Sequence, residues 1–159
     1  MNKLKCFLPF VAMLLMLASC ESNNLVDTNV AVADNNWTYA KSAKAVVEIK
    51  DINQSYNIYF KLRHTADYRY ANLFVLANVK GNGLKKSTRY QFKLAKADGE
   101  WLGKGSGDIY TNNFSLLTNY RFAKPGKYEI EIEQNMRDNP LVGISDIGIK
   151  VEKAEENKP

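Results

Sequence analysis

Cysteine is scarce in this chain, which contains only Cys6 and Cys20 among its 159 residues. Cys6 lies in an apolar N-terminal run that we predict to be removed, and Cys20 immediately follows that run. The mature chain then lacks a second thiol for a disulfide or a cysteine-rich metal site. Removing residues 1–19 leaves 140 residues, and a domain of that size buries about two-thirds of its unfolded surface without such supports.

Histidine is scarcer still, because His64 is the only one in the sequence. It lies at the predicted end of a strand, and a zinc site made from one histidine and carboxylates alone would be unusual. No serine lies in a sequence that resembles a nucleophile elbow. We therefore predict that His64 is a surface residue, that the chain binds no metal or cofactor, and that it is not an enzyme.

Paired carboxylates are the remaining route to catalysis, since two of them can cleave a glycosidic bond. The candidates are Asp98, Glu100 and Asp108, which all lie in predicted turns. Turns favour acidic residues for local hydrogen bonding alone. We therefore predict structural roles for these three side chains.

A strong excess of one charge is also missing. The chain has a net charge of +5, and Lys3 and Lys5 leave with the leader, so the mature chain carries +3. Acidic and basic residues are interspersed, and no basic tract has the density that nucleic-acid binding requires. Nucleic acid is therefore excluded as the expected partner.

No apolar run is long enough to span a bilayer, which takes about 20 residues. The run from Phe7 to Ala18 follows two lysines and ends in Leu17-Ala18-Ser19-Cys20. A positive start, a short apolar stretch and small residues at its end are typical of a secretory signal peptide. An aliphatic residue and two small residues before a cysteine form a bacterial lipobox. We predict that residues 1–19 are a lipoprotein signal peptide and that Cys20 carries lipid, which holds the protein to a membrane.

The acidic residue after the cysteine, Glu21, is weak support for export to the cell surface. Because one acidic residue is weak evidence, we expect instead a cell-envelope protein anchored in the outer membrane with its domain in the periplasm. Residues 20–35 are rich in Asn, Asp and Ser, a composition that cannot build a core. We assign residues 20–35 to the lipidated cysteine and a flexible tether, within which a short strand around Asn29 to Ala33 stays open. Residues 36–153 are assigned to a folded domain and residues 154–159 to a charged tail.

The apolar residues of the predicted domain recur with a period of two, which indicates β-strands. Ile58, Phe60 and Leu62 alternate with polar residues, and the segments 89–94, 127–133 and 147–152 repeat this pattern. The segment 70–79 is apolar on both faces, which predicts a central strand. At least seven short strands at this spacing predict an all-β fold, an antiparallel β-sandwich of jelly-roll type.

Turn residues separate these strands. Asn82-Gly83 favours the positive φ angles of a type I′ hairpin turn, although the predicted strands leave several residues on either side of this pair and indicate a looser loop. Pro125-Gly126-Lys127-Tyr128 is typical of a sandwich strand whose buried tyrosine bonds a nearby backbone group. Segment 103–107 reads GKGSG; it superficially resembles a phosphate loop but lacks that motif's spacing, so we interpret it as a bent strand.

Aromatic residues near strand ends are the main indication of a binding surface. Tyr59 should face away from the core, and four further candidates lie near strand ends: Tyr68, Tyr70, Trp101 and Tyr110. Aromatic side chains are enriched at contact surfaces and also stack on sugar rings. Asp108 and Arg137 could form an ion pair under the loops or bind a ligand. The same aromatic residues also suit the pleat of a sheet, so packing within the domain remains open beside a protein-binding or glycan-binding surface.

Two segments resemble a known family. Residues 98–110 read DGEWLGKGSGDIY, and residues 132–148 read IEQNMRDNPLVGISDIG. These segments, the Asn36-Trp37 pair, the stretch 70–74 and the position of the lipobox are similar to the GldH family, lipoproteins associated with gliding motility in Bacteroidetes. The resemblance covers roughly residues 20–152.

This resemblance implies a non-enzymatic lipoprotein of the cell envelope, a component associated with gliding motility or with related envelope or secretion machinery. It implies protein partners in that assembly and supports Cys20 as the lipidated position. It supplies no catalytic residue. A carbohydrate-binding envelope lipoprotein is the alternative, which the exposed aromatic residues leave open.

Overall fold

The computed structural model describes residues 23–155. The predicted signal peptide, Cys20 and residues 156–159 of the predicted tail lie outside the described residues. The described part consists almost entirely of β-strands with short connections, and a single 3-10 turn spans Ala33–Asn35. The strands are β1 (Asn24–Asp27), β2 (Val30–Ala31), β3 (Asn36–Trp37), β4 (Ala43–Ile49), β5 (Tyr56–Thr65), β6 (Asn72–Gly81), β7 (Leu84–Lys93), β8 (Lys104–Ser106), β9 (Ile109–Tyr120), β10 (Gly126–Gln134), β11 (Leu141–Val142) and β12 (Ile144–Lys153).

Two antiparallel sheets form a sandwich. One sheet has the order β1-β12-β5-β9-β8, with β2 also paired to β12, and the other has the order β4-β10-β6-β7. If the eight strands other than β2, β3, β8 and β11 are numbered along the chain, the orders become 1-8-3-6 and 2-7-4-5, which is the strand order of a jelly roll. The predicted jelly-roll sandwich is confirmed, and β6 is an interior strand of its sheet as predicted.

The core lies between the two sheets and follows the alternation predicted from the sequence. Ile58, Phe60 and Leu62 on β5 are buried, and so are alternate residues of β6, β10 and β12. Phe60 lies at the centre, with ring centroids 6.2 Å from Trp37, 6.0 Å from Phe92 and 6.3 Å from Phe114. One face of each long strand therefore builds a single core.

The folded domain begins earlier than the predicted boundary at residue 36. Within the predicted tether, β1 pairs with β12 in the register Asp27↔Lys150, and β2 pairs with the same strand. The tether prediction is wrong for these residues, because polar side chains do not prevent backbone pairing along a sheet edge. The predicted tail also begins too early, since Ala154 is buried and its N–H bonds the carbonyl of Ser55 at 2.9 Å.

The β6–β7 hairpin is tighter than the sequence indicated. Gly81 pairs directly with Leu84, so the connection is only Asn82 and Gly83, with φ angles of 48° and 84°. Both angles are positive, as a type I′ turn requires. The prediction of this turn chemistry is therefore confirmed, whereas the prediction of a looser loop is wrong.

Tyr128 forms the predicted bond at the start of β10. Its side chain is 2% exposed, and its hydroxyl donates a 2.7 Å hydrogen bond to the carbonyl of Lys124. Its ring packs against Phe122, with the two centroids 4.4 Å apart. The bond fixes the connection that leads from β9 into β10.

Replacing Tyr128 by phenylalanine should lower the free energy of unfolding by about 1 kcal/mol, because a mostly buried hydrogen bond is lost while the ring is kept. Urea denaturation would measure this change. The control is Tyr39→Phe, which removes a 2.7 Å bond to the carbonyl of Met136 from a side chain that is 49% exposed. Water can replace that bond, so an equal or larger loss in the control would contradict the role of Tyr128.

The register of the strands places the connections at two ends of the sandwich. Tyr56 lies opposite both Lys153 and Tyr120, and β1 begins beside Glu152. We call this the β1 end; it carries the β4–β5, β6–β7 and β9–β10 connections. The far end carries the segments 66–71, 94–103 and 135–143, and the ten residues of β5 separate the two ends by about 33 Å.

Candidate functional site

His64 is buried at the far end of the sandwich. It is 0% exposed, so the prediction of a surface histidine is wrong. The reason is the period of two along β5, which places His64 on the same inward face as Phe60 and Leu62. The alternation of apolar and polar residues along this segment of the sequence already indicated that His64 faces the core.

Aromatic rings surround the His64 imidazole. The ring centroid of Trp101 lies 4.6 Å away, that of Tyr110 5.4 Å and that of Tyr68 5.7 Å. We call these four residues the aromatic cluster. Trp101 reaches it from the segment after β7, where Leu102 N–H bonds the carbonyl of Leu94 at 2.8 Å. Tyr110 reaches it because it lies opposite His64 in the register of β5 and β9.

The hydrogen bonds of His64 indicate its protonation state. Its Nδ1 lies 3.0 Å from the carbonyl of Thr65, so this nitrogen carries the proton that it donates. Among the described residues, neither His64 Nε2 nor the buried Nδ2 of Asn112 has a hydrogen-bond partner. Burial lowers the pKa of His64, because removal from water disfavours the charged imidazolium. The imidazole is therefore neutral near pH 7.

This burial predicts a loss of stability in mild acid. The unfolded chain binds a proton at its one histidine near the ordinary pKa of about 6.5, whereas the folded chain resists protonation. The free energy of unfolding should therefore fall as the pH decreases below about 6.5, with a slope of at most about 1.4 kcal/mol per pH unit. Urea denaturation would measure this slope between about pH 7.5 and about pH 5, a range that includes the ordinary histidine pKa of about 6.5.

The matched control for this prediction is His64→Gln, which keeps a polar side chain and removes the titration. The variant is expected to be less stable throughout but to lose the slope in this pH range. Carboxylates with lowered pKa values, such as Glu131 beside Lys44 and Glu152 beside Lys150, titrate at lower pH. An unchanged slope in the variant would exclude His64 as the source.

A groove of about 490 Å³ adjoins the aromatic cluster at the far end. The rings of Tyr68 and Tyr70 connect the two features, with centroids 5.8 Å apart in an edge-on arrangement. We call it the Arg89–Arg137 groove. Its walls come from three separated segments of the chain, and its lining residues are Tyr70, Phe74, Arg89, Asn135, Met136, Arg137 and Asp138.

Contacts within the groove hold its side chains in place. The Arg89 guanidinium lies over the Phe74 ring, 4.2 Å from its centroid, a favourable cation–π geometry. Phe74 N–H donates to the sulfur of Met136 at 3.2 Å. The Tyr70 hydroxyl donates to the Asp138 carboxylate, which raises the pKa of Tyr70. Arg137 is exposed, and among the described residues it has no ion-pair partner.

The predicted binding residues divide among three places. Trp101 and Tyr110 meet in the aromatic cluster, with centroids 5.8 Å apart, and Asp108 lies at the exposed tip of the β8–β9 hairpin beside them. Arg137 lies in the groove. Tyr59 lies apart, half-buried on the outer face of β5, with the Lys150 ammonium 5.8 Å from its ring centroid.

The suggested ion pair between Asp108 and Arg137 does not form among the residues that the structure describes. The other two acidic candidates stabilise their own turn. The Asp98 carboxylate accepts the Glu100 N–H at 3.1 Å, and Glu100 pairs with Lys96 at 2.6 Å. Within residues 23–155 there is no group of three or more His, Cys, Asp or Glu that could hold a metal ion. No helix in that range is long and apolar enough to cross a membrane.

Phe74, Arg89 and Met136 are groove residues that the sequence did not single out. A signal existed for Phe74, since the segment 70–79 is apolar on both faces although only one face of β6 meets the core. Arg89 is one of several cations on β7, and Met136 lies in a connection. No sequence pattern joins these three positions.

Comparisons with known proteins connect the fold to one family. The model of the GldH lipoprotein family matches residues 24–151. The chain is 29% identical to a gliding motility lipoprotein GldH homolog of Christiangramia forsetii, over 92% of this chain and 94% of that protein. It is 25% identical to the gliding motility lipoprotein GldH of Flavobacterium johnsoniae, over 87% and 91% of the two chains. No solved structure matches the chain.

Proposed function

The chain belongs to the GldH lipoprotein family, and we propose from this that it is a non-enzymatic component of the cell envelope. Its role would be to bind another protein of an assembly associated with gliding motility. In this proposal, lipid on Cys20 holds the protein to the outer membrane with its domain in the periplasm. The far end of the sandwich binds another envelope protein. The matched relatives are named for gliding motility, and that name supports the choice of assembly.

The Arg89–Arg137 groove is the observation that carries this proposal. Aromatic residues, methionine and arginine are the types enriched at protein–protein contacts, and five of the seven lining residues belong to them: Tyr70, Phe74, Arg89, Met136 and Arg137. The stacking of Arg89 on Phe74 fixes one guanidinium before a partner binds, which reduces the entropy lost on binding. The groove therefore has the composition of a contact hot spot.

The chemistry of the far end supports a binding role rather than catalysis. The imidazole of His64 is enclosed by three aromatic rings, and a general base must reach the proton that it abstracts. The carboxylates of Asp98 and Glu100 are engaged in their own turn. The groove offers stacking and charged contacts without an acid–base pair.

The position of the predicted anchor gives the groove an orientation. Cys20 precedes the first residue of β1, Asn24, by four residues, and four residues span at most about 14 Å. The β1 end must then lie near the bilayer, whereas the far end extends about 33 Å beyond it. The groove would then lie on the part of the domain that is far from the membrane, where a partner could reach it.

Chemical crosslinking in the native organism tests this proposal. Arg137→Glu reverses a charge in the groove on an exposed connection, and Lys104→Glu is the matched control because it makes the same charge change at the far end on the other sheet. We expect recovery of defined envelope proteins from the native chain and the control. Recovery should fall roughly 30-fold in Arg137→Glu, since losing a hot-spot residue costs at least about 2 kcal/mol.

The test should include a variant without the anchor, in which an ordinary secretory leader replaces residues 1–19 and Cys20 is changed to alanine. Loss of the same partners from this variant would show that membrane attachment supports docking. Recovery of the lipoprotein alone from the native strain would contradict an assembly component. Equal recovery from Arg137→Glu and Lys104→Glu would contradict the groove as the docking surface.

Carbohydrate binding is the second candidate, and one observation favours it. Tyr70 and Phe74 place aromatic rings beside the polar groups of Asn135 and Asp138, an arrangement that suits a sugar ring. Binding of the purified protein to the organism's own surface polysaccharide, weakened by Phe74→Ala but not by Lys104→Glu, would support it. Absence of that binding, together with protein crosslinks, would decide for the docking role.

A further inference from the structure

Five exposed cations come together at the β1 end of the sandwich. Two lie at the start of β7, two lie in the β9–β10 connection, and one lies at the start of β10. All five side chains are exposed. We call this set the basic corner, and its members are Lys85, Lys86, Arg121, Lys124 and Lys127.

Contacts between the three segments hold the basic corner together. The Asn82 side chain donates a 3.3 Å hydrogen bond to the carbonyl of Lys127, which ties the β6–β7 turn to β10. The Lys86 ammonium lies 5.5 Å from the ring centroid of Tyr120 at the end of β9. A depression of about 230 Å³ is lined by residues of the β6–β7 hairpin, the β9–β10 connection and β10. These contacts therefore place the three segments that carry the cations side by side at the β1 end, although they are distant in sequence.

The charges of the basic corner are not balanced locally. Among the described residues, none of its five cations forms an ion pair. Two carboxylates lie close to the corner in the sheet register, Glu48 opposite Lys127 and Glu129 opposite Lys80. Neither forms an ion pair with a cation of the corner, and the five cations outnumber them. The mature chain carries a net charge of only +3, so this surface concentrates positive charge that the rest of the molecule does not have.

The location of the basic corner indicates what it meets. It lies at the same end as the start of β1, which follows Cys20 by four residues, or at most about 14 Å of chain. Three strand spacings separate β1 from β9 across the sheet, which is about 14 Å. A lipid anchor on Cys20 would thus bring the whole β1 end to the headgroups, where each lysine or arginine near an anionic surface contributes attraction.

We propose that the basic corner binds the anionic headgroups of the phospholipid surface on which the protein is anchored. This inference rests on the proposed anchoring at Cys20 for its biological setting, but the surface itself can be tested without the anchor. The corner would keep the β1 end of the sandwich against the bilayer. The Arg89–Arg137 groove, near the far end, would then lie away from the membrane surface. Lipid and corner would then act as two signals, and their effects would add.

Vesicle binding of the acyl-free mature chain, carrying Cys20→Ser, tests the surface separately from the anchor. The probes are phosphatidylcholine vesicles with and without phosphatidylglycerol. We expect binding only to the anionic vesicles and its loss in about 1 M salt, where the Debye length is about 3 Å. The variant Lys124→Gln/Lys127→Gln should bind on the order of 30-fold more weakly. The control Lys41→Gln/Lys104→Gln removes the same charge from exposed lysines elsewhere and should bind normally.

Equal binding to both vesicle types, or equal weakening in the two double variants, would overturn the proposal. Competition of the vesicle binding by inorganic phosphate at millimolar levels would show a small-anion site instead and would also overturn it. The substituted side chains leave the Lys124 carbonyl in place for Tyr128, and matching unfolding curves would confirm that the variants fold.

Hydrogen exchange of the lipidated protein in nanodiscs would test which end of the sandwich faces the bilayer. Amides in 82–86 and 121–127 should exchange more slowly in anionic than in zwitterionic discs, and those in 135–143 should not change. Slower exchange at the far end would overturn the orientation. Release of the protein from the discs would instead contradict the anchor at Cys20, while the vesicle result for the corner would stand.

Discussion

Replacing Phe60 by alanine should lower the free energy of unfolding by about 3–5 kcal/mol, the range for removing a buried phenylalanine from a core. Phe60 is 0% exposed and lies between Trp37, Phe92 and Phe114. Phe92 and Phe114 come from the two sheets of the sandwich, and Trp37 comes from the short β3 strand. These rings belong to separate strands and cannot close the space without moving the sheets. A domain of this size has only about 5–15 kcal/mol in total, so the variant should be close to unfolding at growth temperature.

Urea or thermal denaturation would measure this loss, and Tyr59→Ala is the matched control. Tyr59 is the adjacent residue on the same strand and is also aromatic, but it lies half-buried on the outer face beside Lys150. Its removal should cost about 1 kcal/mol or less. Similar losses of unfolding free energy in the two variants would contradict the conclusion that the aromatic rings between the sheets stabilise the core.

The core could be predicted from the sequence because it depends on a local property, the alternation of apolar and polar residues along each strand. The inward face of β5 was readable from Ile58, Phe60 and Leu62. The same alternation assigns His64 to that face, yet its polarity favoured the surface. The structure resolves this conflict by enclosing the neutral ring with Tyr68, Trp101 and Tyr110 and bonding Nδ1 to a backbone carbonyl.

The edges of the sheets were harder to predict, because they depend on backbone pairing more than on side chains. Residues 24–31 are polar enough to read as a tether, but Thr28 N–H bonds the carbonyl of Ile149 at 2.8 Å and its side chain bonds the same residue. Such bonds are available to almost any sequence beside an open strand. The β6–β7 hairpin was misjudged for a similar reason. Its strands continue through polar residues up to the two-residue turn, and backbone pairing of polar residues leaves no alternating pattern in the sequence.

The Arg89–Arg137 groove could not be predicted from the sequence, since its walls meet only after the sheet has formed. In the register of β6 and β7, Arg89 lies opposite Leu76, and Phe74 is two residues before Leu76 on the same face of β6. The Arg89 side chain can therefore reach the Phe74 ring. The connection after β10 is held beside them by a 2.8 Å hydrogen bond from Asn135 N–H to the Phe74 carbonyl. Two groove residues, Tyr70 and Arg137, were sequence-based candidates. Asp108, the ion-pair partner suggested for Arg137, lies at the tip of the β8–β9 hairpin.

Removal of the lipid should have the largest effect on where the protein is found. In the anchor-free variant, with an ordinary secretory leader in place of residues 1–19 and Cys20→Ala, we expect membrane association to fall by roughly a hundredfold or more, because two acyl chains give stable anchoring at about 0.8 kcal/mol per buried methylene. The exchanged leader matters, since an uncleaved apolar run from Phe7 to Ala18 could itself hold the chain to the membrane.

Fractionation of cells into membrane and soluble parts would measure this shift, and Ser22→Ala behind the native leader is the control that should remain with the membrane. The anchor-free variant should unfold at the same temperature as the native chain, because the substitution changes no residue of the core between the two sheets. Weak, salt-sensitive membrane binding should remain, supplied by the basic corner. Full membrane retention that resists high salt would contradict lipidation at Cys20, since neither the domain nor its cations could supply it.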